Sequence, residues 1–224
     1  MATKQGVKDW QNGYTLEQCE NITTKIVAEI KRRHELLPEK YKEKREIPVS
    51  VKTRVGFNEP VIKEWVTNLL ECEPAAIAIH GRTLTQHYSG TANWENIAEA
   101  AELIRPTSTL VLGNGDIPTL ELAHEHVKKY GVDGVLIGRG AFGNPYVFAE
   151  EPGPKSVFEI ALEHSRLFEE TYSYKERYSF LPMRKHLGWY VKAIPGASEI
   201  RVALFKSENS QDVENIFRQY ELIG

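Results

Sequence analysis

The chain has 224 residues, 41% of them hydrophobic and 26% charged, with a formal net charge of −3, which describes a soluble globular protein with one substantial core and an appendage. No apolar run approaches the roughly 20 residues of a membrane span and no hydrophobic signal region opens the chain, so a membrane location is not expected. Its two cysteines, Cys19 and Cys72, lie in no CxxC or Cys/His spacing, which excludes a disulfide scaffold and a metal cluster and points to a reducing, cytoplasmic setting.

Residues 1–13 are polar and without period. From Thr15 onward Leu16, Cys19, Ile22, Ile26 and Ile30 recur at helical spacing, predicting an amphipathic helix capped by Thr15 with Cys19 as a buried structural thiol. Residues 34–46 (HELLPEKYKEKRE) balance their charges and read as a solvated connection. The stretch 47–56 (IPVSVKTRVG) is a strand that brings Lys52 and Arg54 to its carboxyl end. Charges there are either a ligand site or a rim salt bridge.

A helix follows over 61–72, with Ile62, Trp65, Val66, Leu69 and Leu70 on its buried face, and then a buried strand, AAIAI, which ends in His80-Gly81-Arg82-Thr83. A helix is predicted over 93–104, with Trp94, Ile97, Ala101 and Leu103 inward. Leu110, Val111 and Leu112 form another apolar run, stopped by Gly113-Asn114-Gly115-Asp116. A helical pattern from Leu120 to the stop signal KKYG leads to the run Val135, Leu136, Ile137, stopped by Gly138-Arg139-Gly140. This is the length of a parallel βαβ unit. Two glycine-rich turns in succession suggest a phosphate cradled by backbone N–H groups, or else plain tight turns and caps.

Polar chemistry at the carboxyl end of each strand is the grammar of a (β/α) barrel, here about four βα units of it. Parallel strands are predicted near 49–53, 76–79, 110–112 and 135–137, neighbouring in order, with their polar ends on one rim. A doubly wound open sheet competes, but its dinucleotide fingerprint is missing from the first βα unit. After Pro145 the composition changes. EEPGP at 150–154 reads as a linker, dividing an α/β domain (1–150) from an all-α one (151–224) with helices at 157–172, 178–193 and 211–220. The middle helix, MRKHLGWYVK, interleaves cations with aromatics, as suits phosphate contacts with base stacking or an ordinary amphipathic helix.

The series VSVKTRVG, AIHGRTLTQHYSGTANW, VLGNGDI, DGVLIGRGAFGNP and MRKHLGWYVKAIPGASEIR, in that order and spacing, resembles the tRNA-dihydrouridine synthases from about Gly13 onward. The resemblance implies a TIM barrel that binds FMN at its carboxyl-end rim, followed by a small helical bundle that grips tRNA, reducing uridine to dihydrouridine with NADPH. It implies that Lys52 reaches the flavin and that His80 and Arg82 are active-site residues near its ring. Asn114, Gly115 and Asp116 match the flavin-binding turn, Gly138 and Arg139 the phosphate turn. Arg184, Lys185, His186 and Lys192 fall in the tRNA-binding part.

The family's catalytic cysteine, in an Asn-x-Gly-Cys-Pro turn, has no counterpart in this sequence. The chain therefore matches the C-terminal half of such an enzyme, and a fragment, a split gene or a late translation start is expected. A partner N-terminal half or a second copy would then complete it. The alternatives are a non-catalytic RNA-binding remnant and, more distantly, a non-flavin phosphate-binding barrel enzyme.

Overall fold

The structure, a computed structural model, describes residues 24–26, 28–30, 32, 35–36, 48–192 and 194–224. The helix expected over 15–30, with Cys19, and the connection at 34–46 lie mainly outside the described residues. Residues 24–26, 28–30, 32 and 35 are helical. Cys72 is a buried thiol with Thr24 Oγ1 3.1 Å from its Sγ. The chain divides into two compact units, Met1–Ile117 with Glu121–Ile137, and Pro118–Leu120 with Gly138–Gly224. That division falls ahead of both the composition change after Pro145 and the 150–154 linker.

In the first unit four short strands, β1 (Ser50–Arg54), β2 (Ala76–His80), β3 (Leu110–Asn114) and β4 (Gly134–Leu136), pair in parallel in the order β1-β2-β3-β4. Parallel neighbours need crossovers, supplied by α1 (Ile62–Leu70), α2 (Trp94–Ile104) and α3 (Leu120–Tyr130). The helix expected over 93–104 starts one residue later, because Asn93 caps α2, its side chain accepting the backbone N–H groups of Glu95 and Asn96.

Successive strand residues point to opposite faces. On the helix-covered face Thr53, Ile77, Ile79 and Val111 are buried, and Trp65 Nε1 donates to Thr53 Oγ1 at 2.8 Å. Trp94 lies against Gly113, where a Cβ would come within 2.4 Å of its ring. That close approach explains why β3 runs on through Gly113 and Asn114 where a glycine reads as a strand stop: Gly113 pairs in register with Ile79 and Val135. The opposite face carries Lys52, Ala78 and Leu112 in one row and Arg54, His80, Asn114 and Leu136 in the next. Leu110, on the same face, is 52% exposed.

In the second unit a 3₁₀ turn (Arg139–Ala141) is followed by α4 (Val157–Tyr172), α5 (Leu181–Tyr190), α6 (Ala197–Leu204) and α7 (Ser210–Gln219). A reciprocal capping box of Ser156 and Glu159 starts α4, and Asn209 caps α7. Leu162, Met183, Leu187, Leu204 and Phe217 belong to one shared apolar core. The middle helix is shorter than the 178–193 its pattern suggests, because Pro182 occupies its first turn, where proline is tolerated, and so sets its start. The sequence reading leaves 197–204 unassigned. That helix buries only Ile200 and Leu204, too few apolar positions to register as a period. No helix among the described residues is long and apolar enough to cross a membrane.

Candidate active site

The carboxyl ends of the strands gather four charged or polar side chains on the face that the helices leave uncovered. Lys52 on β1 reaches Asn114 on β3, Nζ to Oδ1 3.3 Å, across the intervening strand. Its register partner there is Ala78, whose methyl group leaves the path clear. Asn114 in turn donates from Nδ2 to Leu136 O at 2.9 Å, so the amide is oriented from both ends. Partial burial, and then the neighbouring Arg54, hold the Lys52 ammonium below its ordinary pKa.

His80 lies beside them, 8% exposed. Burial above all, then the charges of Arg54, Lys52 and Arg82, push its pKa down to about 4, so at neutral pH it is an uncharged imidazole. Arg82 Nη1 stands 3.4 Å from His80 Nε2. An arginine only donates, so this contact makes Nε2 the acceptor and leaves the ring proton on Nδ1.

Arg82 itself is 2% exposed and fully engaged. It grips both carboxylate oxygens of Asp116 at 2.9 and 2.7 Å and donates to the carbonyls of Ser89 and Gly90. Asp116 also accepts the backbone N–H of Ala92 and holds a positive φ of 55°, a conformation aspartate tolerates better than most residues. Gly115 sits between, its carbonyl accepting Trp94 Nε1, with the His80 ring against it. The expected pair, His80 and Arg82, are both buried but differ in their partners: Arg82 ties the 83–92 loop to the β3 turn, and His80 stands in the strand row that borders the open face. Arg54 does similar work, donating to the carbonyls of Thr83 and His87.

Gly138 and Arg139 belong to the other unit, where Gly138 precedes the 3₁₀ turn and a side chain at that position would meet nothing within 4 Å. A dihydrouridine synthase (Dus) family profile matches residues 25–222. This chain belongs to the dihydrouridine synthase family. It is 34% identical over 182 residues to "Probable tRNA-dihydrouridine synthase 2" of Bacillus subtilis, covering 78% of this chain and 55% of that protein. It is 36% identical, with the same coverage, to "Probable tRNA-dihydrouridine synthase" of Staphylococcus aureus, and 35% to its namesake in Staphylococcus epidermidis. The chain spans about half the length of these curated relatives.

Within this family member the residues expected to meet RNA lie on or just beyond α5, and they are not alike. Lys185 is exposed with Nζ 5.5 Å from the Trp189 ring centroid, and Lys192 is exposed just beyond the helix. Arg184 donates from Nε to Ser207 O at 2.7 Å. His186 packs edge-on against Trp189 and His164, burial and Lys185 holding its pKa below the ordinary value. Arg201 and Phe205, which the sequence reading did not single out, line a groove with Arg184, Lys185 and Lys192; their i, i+4 spacing is the local signal for the pair. No group of three or more His, Cys, Asp or Glu side chains that could hold a metal occurs among the described residues.

Proposed function

We propose that this chain carries the flavin-contacting strand ends and the RNA-binding helices of an enzyme that reduces uridine to 5,6-dihydrouridine in tRNA, with FMN as cofactor and NADPH as reductant. The observation that carries the reading is Lys52 meeting Asn114 on the open face at the carboxyl ends of parallel strands, with neutral His80 beside them, in a member of the dihydrouridine synthase family. In a barrel that face is the interior and that rim the active site. Further βα units, from the rest of a longer chain or from a partner, would complete the barrel around it. A tRNA substrate puts the working place of the enzyme in the cytoplasm.

The donor set fits a flavin. Lys52 brings a cation suited to the anionic edge of a reduced ring, and Asn114 an amide oriented at both ends. The phosphate is assigned, by the resemblance alone, to the turn of Gly138 and Arg139. The chemistry a bound flavin supplies is a hydride to one carbon of the uracil double bond. The neighbouring carbon needs a proton, and a positioned acid typically contributes about 10²- to 10⁴-fold. With a pKa of about 4, His80 is a poor reservoir for that proton at neutral pH and acts instead as a neutral hydrogen-bonding group in the orientation Arg82 sets. The acid is assigned to the family's cysteine turn, which these 224 residues do not contain. On α5 and beyond it, Arg184, Lys185 and Lys192 are assigned to phosphates; His186, turned toward His164, is not.

The test is flavin fluorescence quenching together with dihydrouridine quantification in tRNA. The chain alone is expected to bind FMN weakly and to form no dihydrouridine; the N-terminal portion of a relative, supplied in trans, is expected to restore both. Lys52→Met or Arg139→Ala should abolish the rescue. Robust turnover by the chain alone would overturn the assignment of the acid. Binding of tRNA with no flavin uptake in either format would favour a non-catalytic RNA-binding role.

A further inference from the structure

In the helical unit a groove of about 600 Å³ opens along α5 and α6. Arg184, Lys185, Lys192 and Arg201 line it, and none of its lining residues is acidic. Such a rim suits a polyanion. The volume falls within the roughly 300–1,000 Å³ of sites that enclose small ligands, so the groove takes one unit of a polymer and not its whole width.

Two features of its wall narrow the occupant further. Phe205 is 47% exposed although it stands beside these cations. It lies over Gly188, where a Cβ would come within 3.0 Å of the phenyl ring. A glycine inside a helix is destabilising relative to alanine, and here it clears the space in which the ring lies against α5. Trp189 is not the open platform: its indole stacks on Phe142, ring centroids 4.0 Å apart and planes 5° from parallel. Arg184 is held by its Nε bond to the carbonyl of buried Ser207, which fixes one cation relative to the ring.

Resting on the RNA reading above, we propose that this groove captures one unpaired nucleotide of the RNA, its base stacked on Phe205 and its flanking phosphates on Lys192 and Arg201. Stacked bases within a duplex hide their faces; only a base splayed from a single strand or loop presents one.

The experiment measures fluorescence anisotropy of a labelled oligouridylate and, separately, of a blunt RNA duplex of equal charge, with the full chain and its variants. Phe205→Leu keeps an apolar side chain at a half-exposed position and removes only the aromatic face, with far-UV circular dichroism as the check on folding. It is expected to weaken oligouridylate binding roughly ten- to a hundredfold, the range for loss of one stacked base, and Phe205→Tyr to restore it. Lys192→Gln with Arg201→Gln should lower the salt slope of binding by about 1.4, at roughly 0.7 per phosphate contact on a single strand. Equal affinity for the duplex, or oligouridylate binding unchanged in Phe205→Leu, would overturn the inference. An intact tRNA titrated in parallel separates the two readings: tRNA bound equally by wild type and Phe205→Leu, with oligouridylate unaffected, removes the nucleotide groove alone, whereas binding of neither RNA removes both.

Discussion

In the sheet unit a guanidinium, Arg82, is 2% exposed and ties one loop to a neighbouring turn, whereas the helical unit builds its core from side chains such as Leu187, Val213 and Phe217 and leaves Lys185 and Lys192 outside. The same residue class therefore does opposite work in the two units. A buried charge is tolerated only where its partners surround it, so Arg82 is bound into the architecture and is unavailable to a ligand. An exposed one gives up little hydration and stays free to meet an anion. Lys52, on the open face of the sheet, is the exception that marks the candidate site.

The contrast can be broken at its strongest point in the helical core. Phe217→Ala is expected to lower stability by about 4 kcal/mol, within the range of about 3–5 for a buried phenylalanine, as read by urea denaturation. Next comes the buried pair. Asp116→Asn should destabilise by about 3 kcal/mol, the low end for a buried ion pair, since the Asp116 side chain is 34% exposed. Arg82→Met and Asp116→Asn are expected to be non-additive, the double variant costing less than the sum of the two single ones, because each single variant also leaves the remaining group without its partner. Additive costs would show that the two groups are not coupled. At the start of α4, Ser156→Ala removes the cap and should destabilise by about 1 kcal/mol, measured by thermal unfolding.

The pH response sharpens the comparison from the side of the site. His80 has a folded pKa of about 4 against an ordinary 6.5, so between these values the unfolded chain binds more protons and stability falls as the pH is lowered. An NMR titration should find His80 neutral, with its proton on Nδ1, down to about pH 5. A pKa near 6.5 would sink the assigned environment. The smallest effect on folding belongs to the exposed cations. Lys185→Gln with Lys192→Gln should change stability by no more than about 0.5 kcal/mol per site, measured by urea denaturation, while reducing the salt dependence of RNA binding.

Much of this architecture was legible in the chain because strands and helix starts are local. The runs ending at His80, at Gly113 and just before Gly138 identify three of the parallel strands within one or two residues, and the helices expected over 93–104 and 157–172 are found at Trp94–Ile104 and Val157–Tyr172. The position of several candidates was legible for the same reason, since His80 and Asn114 close β2 and β3 and Lys52 stands two residues before the end of β1. Their separate roles were not. Lys52 and Asn114 are 62 positions apart, and Arg82 and Asp116 are 34 apart.

By itself, then, the sequence determined the number, order and direction of the strands and the polar character of their carboxyl ends, because short apolar runs and the residues that stop them act over a few positions. Only the tertiary structure decided that Arg82 turns inward to Asp116 while Lys52 stays on the open face, and that Phe205 lies over the bare backbone of Gly188. Burial and charge pairing depend on neighbours brought together across the fold, and a local pattern carries no record of them.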